Sequence, residues 1–122
     1  MPKIMLVEDD EIGRFAFRSL LDGAGCQVVD VDNGFEAVRM LQQDHFDLVI
    51  TDVFMPEMDG VELIREIRDS YPDMKVLAVS GGGGGFSAEH TTDLMTNLGA
   101  DAVLQKPVAN DEFLAVIDTL VN

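Results

Sequence analysis

The chain has 122 residues, with 23 Asp and Glu against 8 Lys and Arg and a net charge of -15. It is the size of one domain with one apolar core, and its charge has the wrong sign for gripping a phosphate backbone, so a protein partner is expected rather than direct nucleic-acid binding. The 47% hydrophobic content includes no stretch long enough to span a bilayer, and the acidic residues from Glu8 to Glu11 break the N-terminal apolar run before it could act as a signal peptide. A cytoplasmic protein with no membrane association is expected. A lone Cys26 excludes an internal disulfide framework and reads as a small buried apolar residue.

In chain order, residues 3-7 read as a buried strand that runs into Glu8, Asp9 and Asp10. Ile12, Phe15, Ala16 and Leu20 follow the spacing of a helix face, and Gly23 and Gly25 close that helix. Residues 27-31 form a second apolar run. Asn33-Gly34 then opens a helix with Ala37, Val38 and Leu41 on its apolar side. The third run, 47-51, ends at Asp52. Val61, Ile64 and Ile67 mark a third helix, stopped by Tyr71-Pro72-Asp73. A fourth run, 75-79, leads to Ser80, and residues 87-98 show a sparser helical pattern with Leu94, Met95 and Leu98. The fifth run, 102-105, leads to Lys106-Pro107, and the last helix carries Phe113, Ile117 and Leu120 with Asn110 as its cap. Such alternation predicts an α/β fold: a doubly wound parallel sheet covered by helices on both faces, in one domain over residues 1-122. Ligands of such sheets bind beyond the carboxyl ends of the strands at a switch point.

Four of the predicted strands end in groups with chemistry. A carboxylate at the mouth of a buried strand is costly unless a charge meets it, and Asp52 is so placed. Asp9 and Asp10 follow the first strand, Ser80 the fourth and Lys106 the fifth. Acidic residues just before Ile12 also suit the start of a helix, where they cap free N-H groups and complement the dipole. Two strand ends that both present carboxylates to one crevice repel each other without a cation, which a hard ion such as Mg2+ would supply. Lys106 would add a point charge for a phosphoryl group.

Together these segments resemble the receiver domain of two-component response regulators, of the single-domain chemotaxis-regulator type. Leu6-Val7-Glu8-Asp9-Asp10 is similar to the family's acidic segment, Asp52 with Met55-Pro56-Glu57-Met58-Asp59-Gly60 to its phosphoacceptor segment, Val79-Ser80-Gly81 to its hydroxyl segment, and Lys106-Pro107 to its Lys-Pro pair. The resemblance implies a flavodoxin-like (βα)5 fold with strand order 2-1-3-4-5. It implies that Asp52 accepts phosphate from a histidine kinase or histidine phosphotransfer protein and so switches binding to a downstream protein target, with no other reaction catalysed. It further implies Mg2+ bound by Asp10, Asp52 and the backbone carbonyl of Phe54, with Asp9 acting through water, Ser80 and Lys106 on the phosphoryl oxygens, and a cis Lys106-Pro107 bond.

Three departures stand out. Val103 occupies the place where the family often has an aromatic switch. The loop after Ser80 is Gly81-Gly82-Gly83-Gly84-Gly85, expected to be mobile at rest and restrained on phosphorylation; it lacks the Gly-Lys-Ser/Thr ending of a nucleotide-binding P-loop. Phe54 places a bulky apolar group two residues past the acceptor, where it is expected to shield the phosphoryl group from water. The same position lacks the acid/base Asp of phosphatases similar to the haloacid-dehalogenase type, which counts against an Mg2+-dependent aspartyl-phosphate phosphatase. A receiver-like adaptor that works unphosphorylated is a further rival, disfavoured by the complete set Asp9, Asp10, Asp52, Ser80 and Lys106. His45 and His90, far apart in sequence, read as solvated.

Overall fold

The computed structural model describes residues 1-55, 57-81 and 88-122. Five strands, β1 (Lys3–Val7), β2 (Gln27–Val31), β3 (Leu48–Asp52), β4 (Lys75–Ser80) and β5 (Ala102–Gln105), alternate with five helices, α1 (Glu11–Gly23), α2 (Gly34–Gln43), α3 (Gly60–Ser70), α4 (Ala88–Leu98) and α5 (Asn110–Val121). All strand pairs are parallel, in the order β2-β1-β3-β4-β5, as expected from the sequence.

The two-residue strand period divides the core. Met5, Val7, Val49, Val76 and Ala78 point to one face, where Ala37, Leu41, Leu63, Ile64, Ile67 and Met95 of α2, α3 and α4 cover them. Ile4, Leu6, Leu48, Ile50, Leu77 and Val79 point to the other, under Leu21, Phe113 and Ile117 of α1 and α5. The Phe17 and Phe113 rings meet there with centroids 4.7 Å apart. Because both faces are covered, the strands are continuously apolar rather than alternating.

Two sequence expectations are corrected. In α1, Ile12 and Phe15 are 81% and 74% exposed. Leu20 packs inward as read, but its companions are Phe17 and Leu21, on the α5 side of the core. The helix therefore carries two apolar stripes, and spacing alone could not say which one the sheet takes. In α5 the cap position falls on Ala109, without a side-chain hydrogen bond, and Asn110 is the first helical residue. The start of α2 behaves as read, with Asn33 accepting from Glu36 N, and α3 opens with Asp59 accepting from Glu62 N. Gly25, just past α1, has a φ of 84°, a region that favours glycine.

Arg68 ties the ends of β4 and β5 together, with its guanidinium donating to the Gly99 and Met74 carbonyls and to Asp101. Cys26 is half-buried, and His45 and His90 are exposed. Among the described residues no helix is long and apolar enough to cross a membrane.

Candidate functional site

The parallel register brings the carboxyl ends of the strands to one level. Val7 pairs with Thr51, Asp52 with Val79 and Ser80 with Gln105, so Glu8, Asp52, Ser80 and Lys106 emerge side by side. Backbone bonds fix these exits: Glu8 N donates to Val31 O, Val53 N to Val79 O, and Lys106 N to Ser80 O at 2.7 Å. The Lys106-Pro107 peptide is cis.

Carboxylate oxygens of Glu8, Asp9 and Asp52 all lie within 4.8 Å of one another. Lys106 Nζ donates to Glu8 Oε1 at 2.6 Å and lies 3.3 Å from Asp52 Oδ2. Ser80 is fully buried at the adjoining strand end. The structure thus collects Asp9, Asp52, Ser80 and Lys106 from four strand ends, as the sequence suggested.

Asp10 is the exception. Its carboxylate accepts from Gly13 N at 2.8 Å and caps α1, and the clustered carboxylate beside Asp9 and Asp52 is Glu8. The expected ion ligand is therefore engaged as a helix cap, because it sits one residue too far along the chain, where the backbone has already turned into α1. Glu8 was missed by the sequence reading. The signal that could have found it is the Asp-x-x-Gly spacing of Asp10 and Gly13, which assigns Asp10 to the helix and leaves the two preceding acids for the crevice.

Glu8 is 1% exposed, and its Oε2 atom has no hydrogen-bond partner among the described residues. Burial, then the hydrogen bond and negative charge of Asp52, push its pKa up to about 7 against the opposing pull of Lys106. Burial also works against the Lys106 charge, but Glu8 and Asp52 outweigh it and raise the Lys106 pKa. Three crowded carboxylates, one with a buried free oxygen, form a donor set of the hard-oxygen kind that Mg2+ takes.

Phe54 is half-buried against the core cluster on the α2–α4 side, as is Val103. Gly60 approaches the acceptor strand so closely that a Cβ there would lie 2.6 Å from the Asp52 carbonyl oxygen. Of the glycine run, Gly81 is exposed, and Gly82 to Gly85 lie outside the described residues, as does Pro56.

Comparison with known proteins agrees with this fold. The family model for the response regulator receiver domain matches residues 4–118. The response regulator receiver protein CpdR of Brucella abortus (strain 2308) is 42% identical over 81 residues, 66% of this chain and 68% of that protein. The polar-differentiation response regulator DivK of Brucella anthropi is 28% identical over 120 residues, 96% of this chain and 94% of its own. Among solved structures, a response regulator receiver domain protein from Clostridium thermocellum superposes with a TM-score of 0.91 at 27% identity, covering 100% of this chain and 95% of that one. The response regulator protein TrrA of Thermotoga maritima, solved in complex with Mg2+-BeF, superposes with a TM-score of 0.86 at 28% identity, covering 98% of this chain and 99% of that one.

Proposed function

The chain belongs to the response regulator receiver family, and from that premise we propose that Asp52 is the phosphoacceptor of a two-component phosphorelay, with Mg2+ as its cofactor. Receiver domains are signalling modules rather than enzymes acting on a separate substrate, so the reaction is one of self-modification. The observation that carries the reading is the cluster of Glu8, Asp9 and Asp52 with Lys106 at one strand-end crevice.

Asp9, Asp52 and the Phe54 carbonyl would hold the ion, with Glu8 behind them, while Asp10 remains the helix cap. The bound ion would supply positive charge to the carboxylates and to the phosphoryl oxygens. An Asp52 carboxylate oxygen attacks phosphorus as the P–N bond of a phosphohistidine breaks, and the electron pair leaves with the imidazole. Lys106 neutralises charge on the transferred group and the Ser80 hydroxyl donates to it, so that the chain contributes positioning and electrostatics. A polypeptide donor must bring its histidine to this crevice, and the exposed Ile12 and Phe15 on the adjoining turns of α1 offer it an apolar surface. We read the protein as cytoplasmic, with a kinase or phosphotransfer protein on one side of the relay and a downstream protein target on the other.

Acetyl phosphate with Mg2+ should add one phosphoryl group by intact mass. Labelling undiminished in Asp52→Asn, or persisting in excess chelator, would overturn the reading. Phe15→Ala should slow transfer from a protein donor and leave labelling by acetyl phosphate unchanged, which separates docking from chemistry.

A further inference from the structure

At the end of the sheet away from Asp52, the turns that lead into β3 and β4 enclose a cavity of about 390 Å³. Phe46 and Asp47 line it from the first turn, and Tyr71, Pro72, Asp73 and Met74 from the second, with His45 completing the lining. β3 runs from Leu48 to Asp52, so at about 3.3 Å per residue the cavity lies about 13 Å or more from the phosphoacceptor end. Glu8, Asp9, Asp52, Ser80 and Lys106 take no part in its walls.

Those walls are built before any ligand arrives. Asp47 N donates to Lys3 O at 2.7 Å and Lys3 N donates to Asp47 Oδ2 at 2.8 Å, which pins the carboxylate. The Tyr71 hydroxyl donates to the Leu41 carbonyl of α2 at 3.1 Å, and Met74 N donates to the Tyr71 carbonyl at 3.1 Å, so the ring and its turn are both held. A pocket formed in advance loses little freedom when it is filled.

Its charges are not balanced from within. The Lys3 ammonium is paired with Asp44 and lies 5.2 Å from the centroid of the Phe46 ring. Arg68 is committed to the Gly99 and Met74 carbonyls and to Asp101. Lys75 shares the strand face of Leu77 on the α1–α5 side, whereas Phe46, Tyr71 and Met74 pack on the α2–α4 side. Asp47 and Asp73 form no ion pair among the described residues.

Two carboxylates set among aromatic and other apolar walls suit a flat, weakly hydrated cation. A guanidinium stacks on an aromatic ring and donates in its plane to carboxylates, whereas an ammonium holds its water more tightly. We propose that this cavity docks an arginine side chain of a basic protein partner, at a site separate from the phosphoacceptor crevice. The net charge of -15 favours the approach of such a partner. A partner held here leaves the crevice open, so docking and phosphorylation occur on the same molecule. The site does not rest on Asp52 being the acceptor.

The probe is the blocked peptide acetyl-Gly-Arg-Gly-amide, titrated into 15N-labelled protein at pH 7.5 and about 0.15 M salt, which screens looser attraction to the acidic surface beyond about 8 Å. The amide signals of Phe46, Asp47, Tyr71, Asp73 and Met74 should move and saturate. The citrulline peptide, which has the shape without the charge, and the lysine peptide should each bind at least about threefold more weakly. Free arginine, whose α-carboxylate meets the two aspartates, should also bind more weakly. Asp47→Asn combined with Asp73→Asn should weaken the arginine peptide about fivefold or more, the loss expected of two partly exposed ion pairs. Should the pair fail to fold, Asp73→Asn alone, on an exposed turn, carries the same test with a smaller loss. Tyr71→Leu should weaken binding and Tyr71→Phe, which keeps the ring, should not. Beryllofluoride with Mg2+ should leave the affinity unchanged. Shifts centred instead on Asp9, Asp10 and Glu57, equal binding of the citrulline peptide, the lysine peptide or free arginine, affinity unmoved by the aspartate substitutions, or binding lost with beryllofluoride would each overturn the proposal.

Discussion

Stability of the metal-free protein should fall as pH rises through the range in which Glu8 loses its proton. Its pKa is raised from 4.5 to about 7, so between those values the folded chain retains a proton that the unfolded chain has released. Stability therefore falls with rising pH: the contribution of the protonated form is complete below 4.5 and is lost as pH rises through about 7. At about 1.4 kcal/mol per pH unit, the shift corresponds to about 3 kcal/mol, a large part of the roughly 5–15 kcal/mol that holds a domain together. The assay is a series of urea melts in chelator from pH 4 to 8.5 on the wild type and on Glu8→Gln, which keeps the shape and removes the titration. Subtracting one curve from the other cancels the groups common to both proteins. The difference should favour the wild type at low pH and decline through the window. On the proposed reading, in which Mg2+ takes the ionised cluster, added Mg2+ should stabilise the wild type more at pH 8 than at pH 5. A difference curve that is flat from pH 4.5 to 7, or that rises, would refute the account of Glu8 as a carboxyl held in its neutral form by burial and by Asp52.

Gly60→Ala should cost about 1–3 kcal/mol in urea melts, because its Cβ would press on the Asp52 carbonyl and on Val53, which are backbone and cannot swing aside. Leu21→Ala, at a fully buried site, should cost about 2–5 kcal/mol, whereas Phe15→Ala at 74% exposure should change stability by less than about 0.5 kcal/mol. Equal costs would mean that α1 docks by its other stripe. Replacing Phe54 by Asn or Glu should hasten loss of phosphate from Asp52, since a polar group there can orient water and an apolar ring cannot. Phosphate lost no faster from either variant, with Mg2+ affinity preserved, would show that Phe54 serves only as cover for the core it touches.

The strands were readable because buried parallel strands are short, continuous and apolar and four of them run into polar groups, while their order was implied only by the resemblance to receiver domains. Asp52, Ser80 and Lys106 were legible for the same reason: a strand has a direction, and the residue that follows it has nowhere else to emerge. What spacing could not decide was which way a helix turns when both of its sides are apolar. Ile12 and Phe15 match the period as well as Phe17 and Leu21 do, and only the tertiary packing, with Phe113 opposite, selects the second pair. The acidic segment posed a similar problem. Glu8, Asp9 and Asp10 are equivalent as a string of charges, but each successive residue rotates as the chain passes from strand to helix. Tertiary structure therefore buries the first against Lys106, brings the second near Asp52 and uses the third to cap a helix.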